Sequence, residues 1–194
     1  QLNEPCCANI KHMNPCGFGI GSNLTEAYLR AVKTDPKSYY GGIVSLNNKV
    51  TKELAEELIK SFLECIIAPE YEEEALEVLR EKQNLRVLIP DEEALQSNIQ
   101  VRSYGKGKLV QDIQQISEAE EQNWELVTEN QDAEDYWKAL RIGWRLIKNV
   151  KSNAIVLADN TGSIGIGAGQ MSRVKALKIA IRQAEEAGLN IKGA

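Results

Sequence analysis

Short apolar runs alternate with amphipathic stretches along nearly the whole 194-residue chain, and that alternation restricts the fold more than any other feature. Strand-sized apolar runs followed by helix-sized amphipathic ones are the pattern of α/β architecture. Cys6–Ile10 reads as a buried strand, Gly17 to Ser22 as a glycine-rich loop, and Leu24–Thr34 as a helix with Leu24, Tyr28 and Ala31 or Val32 on one face. Asp35-Pro36 stops that helix, because the position before proline disfavours helical geometry. Gly42–Leu46 is a second strand, and Thr51–Leu63 a helix with Leu54, Leu58, Ile59 and Phe62 on its apolar stripe. CIIAP is a third strand closed by Pro69, Tyr71–Glu81 an acidic helix with a solvated face, and Leu85–Ile89 a fourth strand closed by Pro90. Parallel strands joined by these helices are the expected outcome.

Residues 91–122 are polar, and Gly105 and Gly107 bend two short strands around SYGKGK. A boundary is expected here, with a first unit over 1–100 and a connecting region and the start of a second unit over 101–194. Order resumes at WELVT, followed by a helix from Asp132 to Asn149 whose Trp137 and Trp144 read as core. Strand NAIVLA, turn DNTG and strand SIGIG lead to a last helix, Ser172 to Ala187, stopped by Gly188. The final LNIKGA reads as the start of another strand, and the opening Gln1 suggests an excerpt of a longer protein. A strand, a G-x-G-x-G run and a helix occur at Gly17–Gly21 and again at Gly165–Gly169, a faint echo of a duplicated unit.

Composition narrows the function classes. Apolar residues make up 43% and charged residues 26%, the balance of a soluble globular chain. The formal charge is −5 and the cations are scattered, so no basic stripe marks a nucleic-acid partner. No apolar run approaches the roughly 20 residues of a membrane span, and no signal-peptide pattern opens the chain. Cys6, Cys7, Cys16 and Cys65 read as reduced thiols of a cytoplasmic protein.

His12 is the only histidine. It reads either as a structural residue or as a base, and its position favours asking about the second. It ends an apolar strand, and strand ends are where ligands bind in open α/β sheets. Lys11 beside it favours the neutral imidazole, the form that a general base needs. In a regular strand the two side chains point apart, and Asn14-Pro15 supplies the turn that would let them act together. Cys16 hints at zinc, but the H-x-E and second cysteine of the zinc nucleobase deaminases are missing and the spacing fits no structural zinc motif. The run from Gly165 to Arg173 reads either as an anion cradle opening a helix or as a tight turn with close helix–sheet packing. Asn153, entering an apolar strand, is either a turn residue or an amide aimed into a site.

The segments KHMNPCG, TDPKSYYGGIVSLN, IIAPEYEEEALEVL, KQNLRVL, VKSNAIVLA and GIGAGQMSR together resemble the aminoimidazole carboxamide ribonucleotide (AICAR) transformylase domain of the bifunctional purine biosynthesis family, across nearly the whole chain. The resemblance implies an α/β fold of cytidine deaminase-like three-layer units, partly duplicated, in a homodimer. It implies formyl transfer from 10-formyltetrahydrofolate to the 5-amino group of AICAR, with no metal required. By position it implies catalytic roles for Lys11, His12 and Asn153, a folate-side segment at Tyr40 and Gly41, and a substrate contact at Ser172, Arg173 and Val174. Tyr39-Tyr40 replace the family's usual Ala-Phe, and its Arg-Tyr-Gly and Asp-Ala-Phe-Phe-Pro-Phe segments do not occur, so the fragment alone is expected to be weakly active or inactive. The competing class is a non-catalytic anion- or nucleotide-binding module built on the glycine-rich turns.

Overall fold

The computed structural model describes residues 3–91, 98–113, 121–129 and 136–194. Two compact units are present, residues 1–89 with 130–194 and residues 90–129.

In the larger unit the strands β1 (Cys6–Lys11), β2 (Asn14–Ile20), β3 (Ile43–Leu46), β4 (Cys65–Ile67), β5 (Arg86–Leu88), β8 (Ile155–Asp159) and β9 (Gly162–Gly167) form one mixed sheet, in the order β5-β4-β3-β1-β2-β9-β8. The parallel expectation holds for β3, β4 and β5, which are linked by α2 (Lys52–Leu58) and α3 (Glu73–Leu79). The remaining pairs are antiparallel; β1–β2 and β8–β9 have to be, as hairpins whose short turns leave no room for a crossover. The smaller unit holds the hairpin of β6 (Ile99–Tyr104) and β7 (Gly107–Asp112), as SYGKGK predicts. Residues 124–127, the expected order at WELVT, are irregular.

Local chemistry sets the helix ends. Asn23 caps α1 (Leu24–Thr34) by accepting from the Glu26 amide, while Glu26 reaches back to the Ser22 amide. Leu54, Leu58, Ile66 and Leu79 are fully buried in a core shared by α1, α2, α3 and the strands beneath them. Each such side chain contributes roughly 1.5–3 kcal/mol. A second core lies under α4 (Trp137–Ile147), where Ile142 packs with Ile20 and Ala158, and Leu146 with Val150 and Ile166. Residues 132–135, the expected start of that helix, lie outside the described residues. Trp144 is not core: it is 51% exposed and, with Leu140, lines an apolar cavity of about 610 Å³ between α4 and β8. Residues 189–194 are irregular, with a turn at 192–193, and do not form the expected strand.

The first glycine-rich run corrects the sequence reading most. Gly17 and Gly19 lie inside β2, so the run read as a loop from Gly17 is strand as far as Ile20, while Gly165 and Gly167 lie inside β9, the strand expected at SIGIG. A side chain at Gly17 or Gly19 would strike the carbonyl oxygens of Ala31 or Ala27 in α1. At Gly165 or Gly167 it would strike those of Ala180 or Ala176 in α5 (Arg173–Glu186). Alternate glycines on one face of a strand let a helix lie almost on the sheet. The glycine run before α5 is therefore the close helix–sheet packing of the two readings.

The echo is real in three dimensions. The pairs Cys7↔Gly19, Asn9↔Gly17, Ile10↔Pro15 and Lys11↔Asn14 recur as Ile155↔Gly167, Leu157↔Gly165, Ala158↔Ser163 and Asp159↔Gly162. Every partner is displaced by the same 148 positions (Cys7 to Ile155, Gly19 to Gly167), including the bulged residues Cys16 and Ile164. Two copies of a hairpin-plus-helix unit thus lie side by side, joined where Gly19 meets Gly162.

Candidate active site

The β1–β2 turn is the feature that departs furthest from ordinary backbone. Lys11 pairs with Asn14, so the turn residues are His12 and Met13, at φ 50° and 66°. The sequence reading placed the bend at Asn14-Pro15, but both lie in β2. A two-residue hairpin turn with two left-handed residues normally takes Asn-Gly, because other side chains are strained there. Holding His-Met in it costs roughly 1–3 kcal/mol per residue, and such strain persists where neighbouring structure enforces it. Both side chains are exposed.

Two sets of contacts enforce it. On one side, Lys11 Nζ donates to the carbonyl oxygens of Tyr40 at 2.7 Å and Gly41 at 2.9 Å. The loop that receives it is built for close approach. Gly41 has φ 65° and donates its amide to Phe62 O, and a Cβ there would lie 3.0 Å from the ammonium. The exposed Tyr40 ring leans on Phe62, with centroids 5.4 Å apart.

On the other side, Asn14 Nδ2 donates to His12 O at 3.3 Å, and Asn14 Oδ1 accepts from the Lys151 amide at 2.9 Å. Lys151 O in turn accepts from the Gly169 amide, and Asn153 and Gln170 exchange both main-chain bonds at 3.0 and 3.1 Å. Just beyond, Ser172 stands at the N-cap of α5 with no side-chain capping bond, and Arg173 and Val174 open that helix.

One end of the sheet therefore gathers most of the sequence-predicted residues. Lys11 meets Tyr40 and Gly41 directly. His12 is tied through Asn14 to the segment that carries Asn153, and Asn153 is tied to the loop that leads to Ser172, Arg173 and Val174. Among the described residues, these links run through main chain and Asn14, not side chain to side chain between Lys11, His12 and Asn153. Sequence reasoning took Asn14 only as a turn former and missed Gln170. Asn beside Pro after the histidine is the local signal, but a bond to Lys151 has no local signature.

Cys16 is the bulged residue of β2 and not part of a turn. Its buried thiol donates to Asn9 O, and burial, with Asp35 adding, pushes it up to about 11. It stays protonated at neutral pH, the wrong form for a nucleophile.

The chain is thus a mixed-sheet α/β protein with a duplicated hairpin unit, in which Lys11 and the strained His12 turn stand at one end of the two central strands. Residues 1–183 match the AICARFT/IMPCHase bienzyme family, and the chain belongs to it. The bifunctional purine biosynthesis protein PurH of Bacillus cereus (strain B4264) is 46% identical over 187 residues, 96% of this chain and 36% of that protein. PurH of Bacillus thuringiensis (strain Al Hakam) is also 46% identical, and that of Bacillus mycoides (strain KBAB4) 45%. The chain spans 36% of the length of these relatives. Among the described residues, no helix is long and apolar enough to cross a membrane.

Proposed function

We propose that this chain carries the formyl-transfer centre of a purine-synthesis enzyme, moving the formyl group of 10-formyltetrahydrofolate to the 5-amino group of AICAR. The observation that carries the proposal is the His12 turn held between the Lys11 clamp and the Asn14 bridge. The acceptor amine is a weak nucleophile, because its lone pair is conjugated with the ring and its carboxamide. As it attacks the formyl carbon, His12 takes its proton. The formyl oxygen gains negative charge while the bond from carbon to the folate nitrogen is still intact. Lys11 has three N–H donors, two already on Tyr40 and Gly41, and the third stabilises that oxygen. Collapse expels the folate nitrogen, which takes up the proton that His12 received from the amine.

Asn153 orients the carboxamide or formyl group by donating and accepting at once. Tyr40 and Gly41 lie beside the folate, and Ser172, Arg173 and Val174 contact substrate. On this reading residues 1–100 form a first cytidine deaminase-like unit and 101–194 the connecting region and the start of a second, in a cytoplasmic homodimer. The duplicated hairpins support a fold with internal repetition. The glycine-turn binding module loses its basis, since four of its glycines are strand residues.

His12→Ala in the intact protein that contains this chain tests the reading. Formyl transfer should fall about a hundredfold to ten-thousandfold. Near-normal turnover would end the assignment.

A further inference from the structure

We infer that Asn14 is a positioning residue that fixes the orientation of His12 relative to Asn153; the inference rests on the formyl-transfer reading. The Asn14 amide uses both its ends, Nδ2 on the His12 carbonyl and Oδ1 on the Lys151 amide. It thereby joins the turn that bears His12 to the segment two residues before Asn153, across 137 positions of sequence. No other side chain makes this link among the described residues.

The second hairpin is a built-in comparison. At the position of Asn14 it has Gly162, and at those of Lys11, His12 and Met13 it has Asp159, Asn160 and Thr161. Neither Asn160 nor Thr161 has a positive φ. In that turn Asp159 Oδ1 accepts from both the amide and the hydroxyl of Thr161, and Asn160 Oδ1 accepts from the Ala139 amide of α4, not from the Lys151 segment. Strand register, bulge and glycine packing against the next helix are thus the same in both hairpins. The pair of left-handed residues, and an asparagine that ties the turn to the Lys151 segment, occur only in the hairpin that carries the Lys-His pair. A role confined to hairpin folding does not account for that difference, because the second hairpin forms the same ladder without them.

A base displaced by a fraction of its hydrogen-bond length loses rate without losing affinity, and about 1 Å of misplacement lowers the rate by about a hundredfold. Asn14→Ala in the intact protein should lower kcat about ten- to a hundredfold per folded active site, with KM for both substrates changed by less than about threefold. In the chain itself, amide relaxation at His12 and Met13 should report a looser turn. Asn14→Asp keeps the acceptor for Lys151 and loses the donor to His12, so it should recover part of kcat. Unchanged kcat, a loss matching only the folded fraction, or a turn as rigid as before would overturn the inference. If His12→Ala abolishes turnover while Asn14→Ala is neutral, only this inference fails. If His12→Ala is itself neutral, the formyl-transfer reading fails.

Discussion

Lys11 Nζ spans the carbonyl oxygens of Tyr40 and Gly41, at 2.7 and 2.9 Å. One ammonium thus fixes both the end of β1 and the approach to β3, and it fills the space that a side chain at position 41 would need.

Gly41→Ala should therefore fail twice. A left-handed backbone costs a non-glycine residue about 1–2 kcal/mol. The new methyl would also lie 3.0 Å from the Lys11 ammonium and 3.3 Å from the Phe62 ring, displacing one of them. The urea midpoint should fall by the equivalent of about 1–2 kcal/mol, and formyl transfer should fall more than stability does. A variant with reduced stability but full turnover per folded molecule would show that the ammonium's placement is not used.

The glycines facing the helices make a sharper contrast. At Gly167 a Cβ would lie 1.9 Å from Ala176 O, with no strain in φ. At Gly188, after α5, φ is 67° and nothing lies within 4 Å. Gly167→Ala must push α5 off the sheet and should destabilise by about 3 kcal/mol or more. Gly188→Ala should cost only about 1 kcal/mol, through backbone strain alone. Chemical denaturation of the two variants checks the order, and a reversed order would mean that α5 is not seated on β9 as described.

That contrast also explains what could be read in advance. Apolar runs bounded by Pro69 and Pro90 marked β4 and β5 correctly, because prolines and strand periodicity act locally. Gly17 misled because alternate glycines look the same in a chain whether they free a loop or admit a helix. Trp144 sits at core spacing on α4, but which side of that helix is covered depends on what packs there. At the site, Lys11 and His12 were legible as neighbours at a strand end. Their clamps were not, since Lys11 reaches across 30 positions to Gly41, and Asn14 across 137 to Lys151.

Ser163 should report on the seam between the two hairpin units. Its hydroxyl accepts from the Phe18 amide at 2.8 Å and lies 2.9 Å from the Thr34 hydroxyl, which donates to Ser163 O at 2.7 Å. Ser163→Ala leaves the Phe18 amide without that acceptor and should cost about 1–3 kcal/mol. Thr34→Val should cost a similar amount. Because the two share one network, the double variant should lose measurably less than the sum. Strict additivity in urea titrations would show that the hydroxyls act separately.

The thiols set a limit at alkaline pH. Burial pushes Cys6 and Cys16 up to about 11, with Glu4 adding for Cys6 and Asp35 for Cys16, and it raises Cys7 further. An unfolded thiol releases its proton near pH 8.5, so between about 8.5 and about 11 the folded chain holds protons that the unfolded chain has lost. Unfolding then releases protons, and stability must fall as pH rises. The contribution is intact below about pH 8.5 and is lost as pH passes through the folded values near 11. Tyr71, pushed up to about 12 by burial, adds a loss of the same sign that begins near pH 10. Urea midpoints under reducing conditions should be level to about pH 8 and then decline steadily to pH 11. Cys16→Ala should make that decline shallower whatever it does to the midpoint at pH 7, and an unchanged slope would mean that Cys16 ionises as freely in the folded chain as in the unfolded one.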